Sequence, residues 1–153
     1  RDKYQFQWWA CSLVGAQPYQ GKKKGSDGGI DGLIFFHDDT GDAKKIVVSV
    51  KGGENVSVSM VRDLAHVVER EKAEIGMFVT LASPTDPMRK EAIKEGFYES
   101  PGNPPVPKIQ ILTIEGLLNK TERPEYKDYS LGSSTFKKAT KSKKQTGQET
   151  LGM

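Results

Sequence analysis

Hydrophobic positions along the chain switch between helical and strand spacing, and the switches mark out its elements. The opening RDKYQFQWWACSLVG has helical spacing: Tyr4, Trp8 and Cys11 share one face, Phe6, Ala10 and Leu13 broaden it, and Gly15 is a natural stop. One of Trp8 and Trp9 is expected in the core and the other on the outside. Residues 15–29 form a Gly- and Lys-rich loop. IDGLIFFH (30–37) is rich in β-formers, DDTGDA makes a turn and KKIVVSVK (44–51) returns, which predicts an antiparallel hairpin. Gly52 and Gly53 break the second strand. A helix follows over 59–74, with Val61, Leu64, Ala65 and Val68 as its buried stripe and Arg62, Asp63, Glu69 and Arg70 outside it. IGMFVTLA (75–82) is apolar throughout, the mark of a strand covered on both faces. Asp86 is placed to cap a third helix with Pro87 at its first position, and Gly96 ends it. ESPGNPPVP is a Pro-rich loop, KIQILTI (108–114) a strand and EGLLN a short helix. The order α-β-β-α-β-α-β-α predicts an α/β domain over residues 1–119, a mixed sheet flanked by helices. Past Lys120 the periodicity stops, and residues 120–153 read as a basic, disordered tail.

Composition narrows the classes. A chain of 153 residues is one domain's worth, and 35% hydrophobic with 28% charged residues is an ordinary soluble balance. No apolar run approaches the length of a membrane span, and no basic-then-apolar leader opens the chain. The single cysteine, Cys11, excludes an internal disulfide or a zinc cluster and fits a reducing, cytoplasmic compartment; its apolar surroundings make it a packing residue. The start at Arg1 rather than methionine points to a piece of something longer. Charge is uneven: residues 1–119 carry −1 and residues 120–153 carry +4, together the net +3. A near-neutral body with a basic end favours an anionic partner, nucleic acid first.

The hairpin gathers the candidate chemistry. If its turn pairs His37 with Lys44, Asp31 lies opposite Val50, and a slip of one residue puts it opposite Ser49 or Lys51. Ser49 and Lys51 share a face because strand side chains alternate. In any of these registers Asp31, Ser49 and Lys51 meet at one end of the sheet. Glycines 28, 29, 32, 52 and 53 would let a bulky polymer come close to the backbone. A hard cation such as Mg²⁺ needs one or two carboxylates and completes its shell with water and substrate phosphate. A lysine beside it can orient a water or stabilise charge on phosphorus. From spacing alone, a plain Asp–Lys ion pair accounts for the two residues equally well.

The ordered set GSDGGIDG, IVVSVKGG, VRDL and AEIGMFVTLASPT resembles the Mrr-type branch of the PD-(D/E)xK nuclease superfamily, over roughly residues 1–119. The resemblance implies a restriction-endonuclease-like fold, Asp31 as the metal-binding aspartate and Lys51 as the catalytic lysine. It also implies double-stranded DNA as substrate and Mg²⁺ or Mn²⁺ as cofactor. Two positions depart from the family. The residue two before the lysine, an acid or Gln there, is Ser49, a neutral and short metal ligand. The leading helix often carries a metal-site glutamate after a phenylalanine, and here Phe6 is followed by Gln7. Glu54 or Glu69 could supply a displaced carboxylate. The chain also looks like the C-terminal domain of some bacterial adenine-specific DNA methyltransferases, which implies a methyltransferase domain on the same chain as a partner.

Other signals carry less. Lys22, Lys23 and Lys24 precede Asp31 and could touch phosphates. NPPV at 103–106 lacks the aromatic that base methylation needs for stacking, since Val106 holds its place. His37 and His66 have no metal-ligand spacing and read as surface residues. The expected function is a metal-dependent DNA endonuclease domain of a restriction–modification system; the alternative is a catalytically weakened DNA-binding module attached to a methyltransferase.

Overall fold

In the computed structural model, residues 3–19 and 28–130 are described. Eleven elements follow one another: α1 (Lys3–Leu13), β1 (Gln17–Pro18), β2 (Gly32–His37), β3 (Ala43–Lys51), α2 (Val58–Arg70), β4 (Ile75–Thr80), α3 (Asp86–Lys94), β5 (Phe97–Tyr98), β6 (Val106–Pro107), β7 (Ile109–Thr113) and α4 (Ile114–Leu118). The main sheet has the order β1-β2-β3-β4-β7. Its β1-β2-β3 half is antiparallel and its β3-β4-β7 half parallel. This is the mixed, helix-flanked α/β sheet expected; the two-residue strand β1 at its edge, and the two-residue strands β5 and β6, which pair antiparallel in a separate small sheet, are too short to leave a periodic trace.

Alternation along β3 builds the two layers of the core. Ile46, Val48 and Val50 join Ala10, Cys11 and Val14 of the first helix region on one face. Val47 joins Val61, Leu64, Val67 and Val68 of α2, and Met88 and Ala92 of α3, on the other. β4 is buried at every position, as a strand covered on both faces must be. The α2 stripe includes Val67, and Ala65 is only half-buried.

Several local expectations shift. Both Trp8 (47% exposed) and Trp9 (43%) lie outside the core. The small residues Ala10 and Cys11 take the sheet-facing positions and let the helix approach closely. The N-cap of α3 is Thr85, one residue earlier than Asp86: its hydroxyl accepts the Met88 N–H at 3.3 Å, leaving Asp86 in the first turn. The β2–β3 turn is closed by Asp38, whose Oδ1 accepts from the Thr40 N–H, the Thr40 hydroxyl and the Asp42 N–H. The Thr40 hydroxyl first, then these N–H groups and Lys44, hold the Asp38 carboxyl below its usual range against the opposing effect of burial.

The segment after α4 also differs from a tail that begins at residue 120. Residues 121–130 form no helix or strand, yet they are tied to the sheet. Glu122 accepts the Thr113 N–H at 2.7 Å, Gln110 and Glu125 exchange hydrogen bonds at 2.8 and 2.9 Å, and the Tyr126 ring meets Phe36 at 5.1 Å. Tyr129 donates its N–H to the His37 carbonyl at 2.8 Å, and His37 Nδ1 pairs with Ser130 Oγ at 2.9 Å. Asp128 accepts the His37 N–H. Burial works to raise the Asp128 carboxyl, but hydrogen bonds from Ser130 and His37 hold it below its usual range. The remainder of the expected tail, 131–153, lies outside the described residues, as do Lys22, Lys23, Lys24 and Asp27.

Candidate active site

The hairpin register is one residue tighter than the sequence estimate: His37 pairs with Ala43 and Gly32 with Val48. Extended by one step, it brings Asp31 level with Ser49. The regular ladder ends there, since the Asp31 N–H goes to the Val48 carbonyl at 2.8 Å. Val50 lies beyond the last β2 partner, and its N–H is taken by the side chain of Asp31, at 2.7 Å to Oδ2. The carboxylate thus substitutes for the strand that has left the sheet. The Asp31 carbonyl accepts from the Tyr19 N–H at 2.9 Å and from the Cys11 thiol at 3.6 Å.

On β3, Ser49 and Lys51 follow Val47 on the α2 side of the sheet. Ser49 is buried at 6% exposure and Lys51 is half-buried. Lys51 stands at the carboxyl end of the parallel strands, level with Thr80 of β4, which is itself level with Thr113 of β7. Its carbonyl is fixed by the Leu81 N–H at 2.9 Å. Among the described residues Lys51 forms no ion pair, so its position is not explained by a salt bridge to Asp31. The crevice outside the carboxyl ends of parallel strands is where open α/β sheets bind ligands.

Gln7 lies on α1, across the sheet from Ser49 and Lys51. It sits one helical turn before Cys11, which touches Asp31, and next to Phe6, whose ring lies 2.7 Å from where a Cβ on Gly52 would be. The helix therefore runs alongside the end of β3, with Gln7 half-buried on it. Cys11 is fully buried. Burial first, and the nearby Asp31 charge second, push its thiol up to about 11, so it stays protonated and serves packing.

Of the two displaced acids, Glu54 is exposed just past Lys51. Glu69 is at the wrong end of the strands. It lines a cavity of about 300 Å³ with Lys72, Glu95 and Lys108, beside the start of β7. Among the described residues no group of three or more His, Cys, Asp or Glu is placed to hold a metal ion. The hairpin register makes the Asp31 and Ser49 positions level, and both side chains carry oxygen donors. They suit a hard cation that takes one carboxylate and fills its shell from water and substrate.

Residues 2–114 match the Mrr_cat family of restriction endonucleases. The chain belongs to that family. The structure of a DNA modification-dependent restriction endonuclease, AspBHI, superposes with a TM-score of 0.55 at 17% identity, covering 78% of this chain and 32% of AspBHI. At that identity the likeness shows a shared fold. This chain thus spans about a third of that protein's length. No curated protein matches the sequence. Among the described residues no helix is long and apolar enough to cross a membrane.

Proposed function

We propose that this restriction endonuclease domain hydrolyses phosphodiesters in double-stranded DNA with the help of Mg²⁺ or Mn²⁺, as part of a restriction–modification system. The observation that carries the reading is the register that brings Asp31 level with Ser49, two residues before Lys51 on the same face of β3, in a chain of this family.

In this reading Asp31 and Ser49 are the residues that hold the cation. When bound there, it supplies Lewis acidity that offsets the charge developing on the phosphate. Asp31 is kept in place by its bond to the Val50 N–H. Lys51, on the same face as Ser49 and without a salt-bridge partner among the described residues, orients the attacking water and stabilises charge on phosphorus. The water oxygen bonds to phosphorus, the ester P–O bond breaks and the leaving oxygen ends protonated. Gln7 contributes an amide from the side of α1. Lys22, Lys23 and Lys24, which precede Asp31 in the sequence, supply positive charge for contacts with DNA phosphates.

Titration of Mg²⁺ and of Mn²⁺ against plasmid DNA tests this, with Lys51→Ala alongside. Metal-dependent cleavage that falls by about 10²-fold or more in Lys51→Ala supports the assigned role. Absence of cleavage of both methylated and unmethylated duplexes overturns it.

A second reading is favoured by the neutral pair Ser49 and Gln7, which leave Asp31 as the one carboxylate among the candidate residues Gln7, Asp31, Ser49 and Lys51. Here the domain holds DNA for an attached methyltransferase without cutting it. DNA binding would then be steeply salt-sensitive and would persist in EDTA and in Lys51→Ala. Loss of binding in EDTA would rule this out.

A further inference from the structure

Asp31 is held on its downstream side by bonds to Val48, Val50 and Tyr19. Its upstream side is a short run of chain, Gly28–Ile30, that crosses α2. Gly28 and Gly29 have φ of +68° and +86°, in the left-handed region that glycine tolerates. The last turn of α2 grips this run. Arg70 Nη2 donates to the Gly28 carbonyl at 2.8 Å, and the guanidinium fills the space a Gly28 side chain would take, with Nη2 2.7 Å from an added Cβ. Val67 Cγ2 lies 3.3 Å from the corresponding point at Gly29. Ile30, 2% exposed, is buried in the same cluster as Val61, Leu64 and Val67. Arg70 is itself steadied by Glu71, 3.2 Å from Nε, and Glu71 also pairs with Lys45 of β3 at 3.6 Å.

We infer that Arg70 is a positioning residue for Asp31. By fixing the Gly28 carbonyl it sets where the chain enters the sheet, and so where the Asp31 carboxylate sits relative to Val50, Ser49 and Lys51. Nothing in the reaction requires Arg70 to touch substrate: it acts through three residues of backbone. A guanidinium suits this task because its planar fork bonds the Gly28 carbonyl and Glu71 at once. Its consequences for cleavage rest on the proposed nuclease function; its consequences for the Asp31–Val50 bond do not.

Two measurements on the whole chain separate these dependencies, made on wild type, Arg70→Ala and Arg70→Lys. The first is hydrogen exchange of the Val50 amide, which reports the Asp31–Val50 bond directly. In Arg70→Ala it should exchange about tenfold faster while the amide of Val79, on the buried strand β4, is unchanged. The second is the Mn²⁺ concentration that gives half-maximal DNA cleavage. It should rise about tenfold in Arg70→Ala with the rate at saturating Mn²⁺ little altered, the pattern of a lost supporting contact around a metal ligand. Arg70→Lys, which can still donate to Gly28, should recover most of both. Wild-type protection at Val50 in Arg70→Ala overturns the positioning role. If no protein in the series cleaves DNA, the nuclease reading falls while the exchange result still decides the role of Arg70.

Discussion

Asp31 and Val50 are joined by a 2.7 Å hydrogen bond in which a side-chain oxygen, rather than a neighbouring strand, receives a β3 main-chain N–H. The aspartate assigned to the metal therefore also completes the sheet where β2 departs. Two substitutions separate these duties. Asp31→Asn keeps an oxygen acceptor for Val50 and should fold with stability close to wild type. Asp31→Ala leaves that N–H without its partner and should cost about 1–3 kcal/mol in urea unfolding. Both should abolish cleavage.

Cys11 gives a pH signature. Its thiol is pushed up to about 11 in the folded protein, whereas an unfolded thiol ionises near 9. Between those values the unfolded chain gives up a proton that the folded chain retains, so rising pH favours unfolding. Two units correspond to a loss of up to ~2–3 kcal/mol across pH 9–11. Below pH 9 the thiol contributes no slope. Cys11→Ala should lack this component when unfolding curves are compared at pH 8 and pH 10.5. Alkylation of native Cys11 at pH 8 should be far slower than that of the urea-unfolded chain.

At Gly76, α2 packs directly against β4. A Cβ there would lie 2.6 Å from Val68 Cγ2 and 3.1 Å from both Leu64 and Ile109 side-chain atoms. Gly76→Ala should therefore destabilise by about 1–3 kcal/mol through overpacking, despite the better strand propensity of alanine. Thermal unfolding checks this.

Residues 121–130 belong to the folded unit. Tyr126→Ala removes a ring packed against Phe36 at 5.1 Å and should cost about 2–3 kcal/mol. A chain ended at residue 119 should unfold at lower urea than one ended at residue 130, because it also loses the Glu122–Thr113 and Gln110–Glu125 bonds. Equal midpoints would show the segment to be energetically idle.

The reach of the sequence can be traced residue by residue. Ser49 and Lys51 could be placed on one face, and β4 on the inside, because alternation and an unbroken apolar run are direct consequences of strand geometry. Asp31 could be placed only to within a register step, because the turn that sets the register depends on how Asp38 caps it. On the first helix, Ala10 and Cys11 of the expected face are buried, with Phe6 and Leu13 packed beside them, while Tyr4, Trp8 and Trp9 stay outside: large aromatics dominate a hydrophobic pattern, yet small residues are what allow close approach to a sheet. Arg70 and the 121–130 segment left no signal at all. Their anchoring relies on single side chains reaching distant backbone, which has no period.

Under the proposed function, Asp31 makes this sheet end a metal-dependent nuclease site. The most direct test is cleavage of plasmid DNA over a Mn²⁺ series by wild type and Asp31→Asn, with folding of both confirmed by their unfolding midpoints. Metal-dependent cleavage by wild type and none by a stably folded Asp31→Asn is the expected result. Equal cleavage by the two proteins, or none by wild type at any metal concentration, would contradict it.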